Sequence, residues 1–599
     1  MNTSGIIGLP NHSFPVLLLR LWDQFSSRRR LQLAGLLALM LANSAAEVFS
    51  LAMVLPFLSV LTDPGNVWSR PVVQQVGYRL GMTSATQLLL PITALFCLAA
   101  IVSGSVRLLN LSVSGRLAAS IGSDLSCEAY QRTLYQPYEV HLARNSSVVI
   151  TALQAQVGSL VAVLNSILAC IANSLLLINL LLALMVIDAK VALATGSVLG
   201  LAYGAIARVS KSRLDINSRL SASYSRSSLQ SLQEGLGSIR DVLLDRSQPT
   251  YLDIYRQSDR PLRQLAAQSS FVSIFPRYIM EALGISVIGI VAYSLSSSNG
   301  GMSNALPLMG ALALGAQRVL PSIQLLYSSW ASIQANKAAV EDVVATLIQP
   351  LPEGSGIDVA VKLSFRESIK FDAVDFTYSS GGPQILTRLG FEILKGQRVG
   401  FIGATGSGKS TTIDLLMGLL EPSNGTIYVD GKNIHASEHP HRLLSWRATI
   451  SHVPQMVYLA DRSIAENIAF GSSAGELDMP RVREAAEHAQ ILSFIESMPD
   501  GFQSFVGERG VRLSGGQRQR IGIARALYKR ADVLVFDEAT SALDNATEAA
   551  LMDAIKGLSR ELTIVMIAHR LTTVERCDRV IELSNGSVLA ITKPSVILI

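Results

Sequence analysis

The sequence predicts two joined folds: an α-helical domain with six membrane spans, followed by an α/β nucleotide-binding domain built on a phosphate loop. Three observations carry this. The 599 residues are 49% hydrophobic and only 16% charged, with a mean hydropathy of +0.36, against roughly 25% charged in soluble chains. Six apolar stretches near the roughly 20 residues a helix needs to span a bilayer occupy 31–61, 87–111, 158–187, 191–207, 275–295 and 306–330. Far beyond them, Gly403-Ala404-Thr405-Gly406-Ser407-Gly408-Lys409-Ser410 fits G-x-x-x-x-G-K-[ST] between a strand and a helix, the context that pattern requires.

Taken in order, residues 14–25 place Leu17, Leu18, Leu21 and Trp22 on one side, as in a helix lying on the inner membrane surface. No cleavable signal is read here: Arg28-Arg29-Arg30 precede the first span and keep the N-terminus in the cytoplasm. Long basic segments follow the second and fourth spans, with Arg116, Arg132 and Arg144 in one and Arg208, Arg213, Arg219, Arg240, Arg246, Arg256, Arg260 and Arg263 in the other. The positive-inside rule puts both segments and both termini in the cytoplasm. Their helical spacing makes them extensions of the membrane helices. Each has a proline beside a tyrosine, Pro137-Tyr138 and Pro249-Thr250-Tyr251, predicting a turn at its tip.

The net charge of +5 is explained by those loops and calls for no nucleic acid. Cys97, Cys127, Cys170 and Cys577 lack paired spacing and read as structural thiols. His435, His439 and His441 sit in a polar, proline-containing loop and read as solvated, not as a metal site. Pro350, Pro352, Gly354 and Gly356 mark a linker. The expected domains are a membrane domain at 1–345, a linker at 346–364 and a nucleotide-binding domain at 365–599, in which strands alternate with helices.

In the loop, glycines let backbone N–H groups close on phosphates, Lys409 reaches the β/γ oxygens and Ser410 offers its hydroxyl to Mg²⁺. Gly403, Thr405, Gly406, Ser407, Gly408, Lys409, Ser410 and Thr411 form the candidate phosphate-binding set. The apolar strand 533–536 runs into Asp537-Glu538. Asp537 is a candidate for Mg²⁺ held through water and Glu538 for the general base. Gln455 is placed to sense Mg²⁺ and the γ-phosphate. His569 is placed to donate to that phosphate or to hold Glu538. Tyr378, ahead of the loop, can stack on adenine. A second glycine-rich run, Leu513-Ser514-Gly515-Gly516-Gln517, opens another helix, whose N–H groups and positive end suit a phosphate.

Gly403 to Ser410, Gln455, Leu513 to Gln517, Asp537-Glu538, Ser541-Ala542-Leu543-Asp544 and His569 together resemble the full motif series of the ATP-binding cassette (ABC) family, over the whole C-terminal domain. The resemblance implies that Ser514, Gly515, Gly516 and Gln517 close on ATP held by the partner chain's loop, and that Asp544 couples the two sites. One cassette and one membrane half then imply a homodimer, a heterodimer being the alternative. The membrane half is similar to the type IV ABC exporter class, in which the two tips would be coupling helices.

Charge within a span costs about 2.5–3.5 kcal/mol on insertion scales and calls for an explanation. Arg107, Arg277 and Arg318 fall toward the inner half of the second, fifth and sixth spans. They suit a pyrophosphate or another anionic headgroup, or else pair with Glu47 and Glu281. Ala46 to Phe49, Leu55 to Phe57, Pro276 to Gly284 and Ala316 to Pro321 resemble the helices of PglK-type flippases of lipid-linked oligosaccharides and of related polysaccharide exporters. Residues 72–82 match their short external helix, whereas the stretch after Gly586 departs from their terminal helix. The resemblance implies an inner-membrane ATPase that moves a lipid-linked oligosaccharide or other anionic glycolipid. An exporter of drugs, lipids or peptides is the alternative, and an ATP-gated channel a further one.

Overall fold

The computed structural model describes residues 14–594 apart from 63, 80, 188, 297–301, 353–360, 380, 437, 440, 473–475, 539–547, 550–560, 569–573 and 576. They divide into two compact units, one of residues up to 134 with 144–350 and one of 135–143 with 351 onward.

The first unit is helical. Helix Phe14–Asp23 buries Leu17 and Leu21 in the core of the unit, so this amphipathic segment is fastened to protein on the face that carries them. Trp22 lies under Arg30, 5.6 Å from guanidinium carbon to ring centroid, a cation–π contact. Helix Ser27–Ala52 starts where Ser26 accepts from the Arg29 N–H. After Val54–Thr62 and Pro64–Trp68, helix Pro71–Arg79 overlaps most of 72–82, the region read as an external helix, and begins one residue before it. Helix Leu89–Leu134 has 46 residues and so is about 69 Å long, against about 30 Å of hydrocarbon. Its second half is the predicted extension. Helices Val157–Ile187, Ala189–Gly237, Gln248–Ser296, Met302–Ala335 and Lys337–Leu347 complete the unit.

Among the described residues, Ser27–Thr62, Ala85–Leu134 and Ser146–Ala183 are long and apolar enough to cross a membrane. The other three expected spans fall on the helices Ala189–Gly237, Gln248–Ser296 and Met302–Ala335.

One expected turn is displaced. Pro249 does not break the chain but is the second residue of helix Gln248–Ser296. The turns instead fall at Ser238 and at residues 245–247, on either side of helix Ile239–Leu244, with Arg246 at φ +51°. A proline in the first helical turn lacks only an N–H that would have no intrahelical partner, so it starts a helix where a mid-helix proline would disturb one.

The second unit has two sheets. Strands β1 (Ser368–Phe376), β2 (Leu386–Leu394), β4 (Asn424–Val429) and β5 (Lys432–Asn433) pair in the order β2-β1-β4-β5. Strands β3 (Arg398–Ile402), β6 (Ile450–Val453), β7 (Val533–Asp537), β8 (Thr563–Ile567), β9 (Arg579–Ser584) and β10 (Ser587–Thr592) pair in the order β10-β9-β3-β8-β7-β6. All neighbours from β9 to β6 are parallel. Parallel strands are covered on both faces and read as unbroken apolar runs, and every residue of β8 is buried. Two apolar cores flank this sheet, one holding Phe371, Phe401 and Trp446 and the other Ile464, Ile521 and Ile523. The four cysteines are free thiols.

Candidate functional site

Parallel strands in register bring their C-terminal ends to one edge, where open α/β sheets bind ligands. Phe401 of β3 and Asp537 of β7 both pair with Ile567 of β8, and Val453 of β6 pairs with Phe536. The phosphate loop, Asp537-Glu538 and the segment leading to Gln455 therefore leave the sheet at the same edge, β8 lying between β3 and β7, although more than 80 residues separate Gln455 from Glu538.

The loop's backbone requires its glycines. Gly403 and Gly408 have φ of +144° and +97°, and a Cβ would strike the Leu583 carbonyl at the first and the Leu386 side chain at the second. Gly406, at φ +83°, has open space where a Cβ would stand, so its backbone is approachable by a ligand. Gly408 caps helix Lys409–Leu416, whose first N–H groups and dipole favour an anion. Lys409 folds over the loop, its Nζ donating to the carbonyls of Gly403 (2.8 Å) and Ala404 (3.0 Å). The buried Ser407 Oγ has no partner. Thr405 and Ser410 are exposed. Tyr378, half exposed, shares a hydrogen bond of 3.1 Å with the Thr411 hydroxyl.

Beyond β7, Glu538 sits at φ +49°, a sparsely populated conformation for a non-glycine residue and one found at functional sites. Gln455 Nε2 donates to its carboxylate at 2.8 Å. An amide that holds the acid near a phosphate loop can orient it toward a water. Mg²⁺ fits the donor set of Ser410, Gln455 and Asp537, since a hydroxyl, an amide oxygen and a carboxylate are hard ligands.

Ser514 caps helix Gly515–Tyr528: its Oγ accepts from the Gln517 N–H at 3.2 Å, while Gln517 Oε1 accepts from the Ser514 N–H at 2.8 Å. This capping box leaves Ser514 exposed and Gly515 and Gly516 partly so. His569 and Asp544 lie outside the described residues.

One acid escaped the motif reading. Asp414, on the phosphate-loop helix, has its carboxyl pushed up to about 6, first by burial and then by the charge of Asp537. A lone acid following Ser-Thr-Thr-Ile is the only signal that could have marked it. Tyr138, in the short helix Tyr138–Ala143 of the same unit, packs against the Phe371 core. Its phenol is raised first by burial and then by Asp414.

Nearby, a cavity of about 560 Å³ is lined by Arg447, His452, Phe470, Arg481, Arg525 and Lys529, among other residues, with no acid in its lining. Burial drives His452 down to about 4, and its Nε2 has no partner. A histidine depressed from 6.5 favours the folded state fully above pH 6.5, and that advantage is lost as pH falls toward 4. At 1.36 kcal/mol per unit, His452 removes about 2 kcal/mol between pH 7 and pH 5. Asp414, an acid raised in the fold, shifts stability the opposite way over the same interval. Urea titrations at the two pH values should therefore show a loss in the native chain that shrinks by about 2 kcal/mol in His452→Gln; an unchanged loss would contradict the assignment.

In the first unit, Arg107 pairs with Glu47 at 3.6 Å and Arg277 with Glu281 at 2.9 Å. Neither is a bare cation, and both guanidinium side chains remain more than half exposed in the single chain. The side chain of Arg318 is not among those described.

Residues 386–541 match the model of the family described as ABC transporter. These residues form an ATPase cassette of the ABC transporter type, joined in one chain to a helical unit with segments long and apolar enough to cross a membrane. The ATP-bound structure of a bacterial Atm1-family ABC exporter superposes with a TM-score of 0.77 at 24% identity, covering 95% of this chain and 96% of that one. The chain is 28% identical over 467 residues to the ATP-dependent lipid A-core flippase of Burkholderia orbicola (strain AU 1054), covering 78% of this chain and 77% of that protein. It is 37% identical over 318 residues to the protein of the same name from Idiomarina loihiensis, covering 52% and 53%.

Proposed function

We infer that this chain works as a homodimer in the inner membrane, with both termini cytoplasmic, and uses ATP to move an anionic, lipid-anchored glycan across the bilayer. The observation that carries the energetic half is the Gln455–Glu538 hydrogen bond, at the sheet edge that the glycine loop also leaves. In this reading Lys409 and the loop N–H groups hold the phosphates, Thr405 and Thr411 border them, and Tyr378 meets the base. Glu538 takes the proton of the attacking water, oriented by Gln455 and His569. Ser410, Gln455 and Asp537 would hold Mg²⁺, which when bound neutralises charge on the phosphates. Ser514 to Gln517 and Asp544 serve the partner's site.

One feature supports coupling: the tip Tyr138–Ala143 belongs to the cassette's compact unit.

The cargo reading rests on the intramembrane arginines and on relatives named for a glycolipid. Lipid-linked oligosaccharides and phosphoglycolipids share the phosphate-plus-sugar chemistry that guanidinium groups bind. With purified protein in liposomes, Arg277→Gln and Arg318→Gln should each lower movement of a lipid-pyrophosphate-linked sugar to the far leaflet by about tenfold, the worth of roughly 1.4 kcal/mol. Wild-type movement in both variants would remove these arginines from the cargo path.

A further inference from the structure

The first and second long helices carry polar residues at matching intervals. Asn43, Glu47 and Ser50 follow one another on helix Ser27–Ala52, and Ser103, Arg107 and Asn110 on helix Leu89–Leu134; all but Arg107 are buried. Spacings of three and four place each trio on one helix face. Two ion pairs fix how the faces meet. Arg29 binds Asp124 at 2.7 Å and Glu47 binds Arg107 at 3.6 Å, so an advance along one helix matches a return along the other and the helices are antiparallel. On that register Asn43 comes level with Asn110, and Ser50 with Ser103.

The central pair is lopsided. The Glu47 side chain is 6% exposed and that of Arg107 61%. A buried carboxylate depends heavily on its counter-ion, because an isolated charge out of water is costly. Arg107 depends on Glu47 far less. A single approach of 3.6 Å leaves most of its five N–H donors available, enough for a two-point grip on a phosphate. One turn away, Asn43 Oδ1 and Asn110 Oδ1 are buried without a partner. Buried acceptors rarely remain unsatisfied. A carboxamide turned by half a turn offers N–H donors in place of its oxygen, and Asn43, four residues before Glu47, is within reach along the helix face.

We propose that Glu47 is a positioning residue that competes with the cargo's phosphate for Arg107, and that the amides of Asn43 and Asn110 hold Glu47 while the phosphate occupies the guanidinium. Glu47 then sets how readily the headgroup is released. This rests on the reading above that Arg107 faces the cargo. No proton transfer or covalent bond change is involved, only an exchange of ion-pair and hydrogen-bond partners.

The test uses the full chain in liposomes with two probes, a phosphorylated lipid A-type glycolipid and the same lipid dephosphorylated, and reads the half-saturating concentration and maximal rate of probe-stimulated ATP hydrolysis. In Glu47→Gln the half-saturating concentration of the phosphorylated probe should fall about tenfold, with a lower maximal rate because release slows. In Asn43→Ala combined with Asn110→Ala it should rise, because Glu47 can no longer release Arg107. The dephosphorylated probe should show neither shift. A merely structural ladder predicts lower thermal midpoints in all variants, with both probes affected alike, and that result overturns the proposal. So does an unchanged or raised half-saturation in Glu47→Gln, or, should that variant fail to accumulate, a fall in the double asparagine variant. Arg107→Gln separates the premise: if it leaves the phosphorylated probe unaffected, the cargo-facing role of Arg107 fails irrespective of Glu47.

Discussion

Replacing Glu538 by glutamine is expected to cut steady ATP hydrolysis by about 10²–10⁴-fold, the usual worth of a positioned general base, while ATP binding persists. The amide preserves the shape of the side chain and its hydrogen-bonding capacity toward Gln455, but cannot take a proton from water. Glu538 lies just past the end of a buried strand and accepts from Gln455 at 2.8 Å, so the exchange should leave the fold and the thermal midpoint nearly unchanged. Equilibrium binding of a fluorescent ATP analogue and phosphate release, measured on one preparation, decide the matter. Hydrolysis near the native rate would reassign the base.

The second large effect concerns which chain completes which site. Lys409→Ala removes the loop's cation, and Ser514→Arg places a bulky charge on the exposed helix start. Each variant alone should trap no nucleotide. If the sites are shared, dimers with one lesion in each chain hold one site with both lesions and one with none, and should trap about half as much nucleotide as the native dimer. Dimers with both lesions in one chain and none in the other should trap only background, because each site is then damaged once. Sites contained within single chains predict the reverse pattern, so purification through two different affinity tags followed by nucleotide trapping separates the arrangements.

The parts of the site that could be read in sequence are those whose geometry is local. A strand, a glycine run and a helix in immediate succession announce the phosphate loop, and Ser514 with Gln517 announces a helix start, because each depends on contacts within a few residues. The Gln455–Glu538 bond depends on the order of strands in the sheet, which no short pattern encodes. The same holds for Arg107: its cost within the membrane is evident from its position, whereas its partner, Glu47, lies 60 residues earlier on another helix. Pro249 misled because proline marks both the end of one helix and the first turn of the next. Asp414 belongs to no motif, and only burial beside Asp537 distinguishes it.

The reciprocal hydrogen bonds between Ser514 and Gln517 have a thermodynamic corollary. Fixing one residue's backbone costs about 1–2 kcal/mol, and a surface that had to order itself at every encounter would meet that cost in every cycle. Here the turn is already formed in the single chain, so in the proposed dimer joining two cassettes would ask for alignment but no folding. Little of the binding energy would then be consumed in preparing the surface, and separation would leave no segment to refold. A dimer that came apart as often as it came together would gain as much from that second property as from the first.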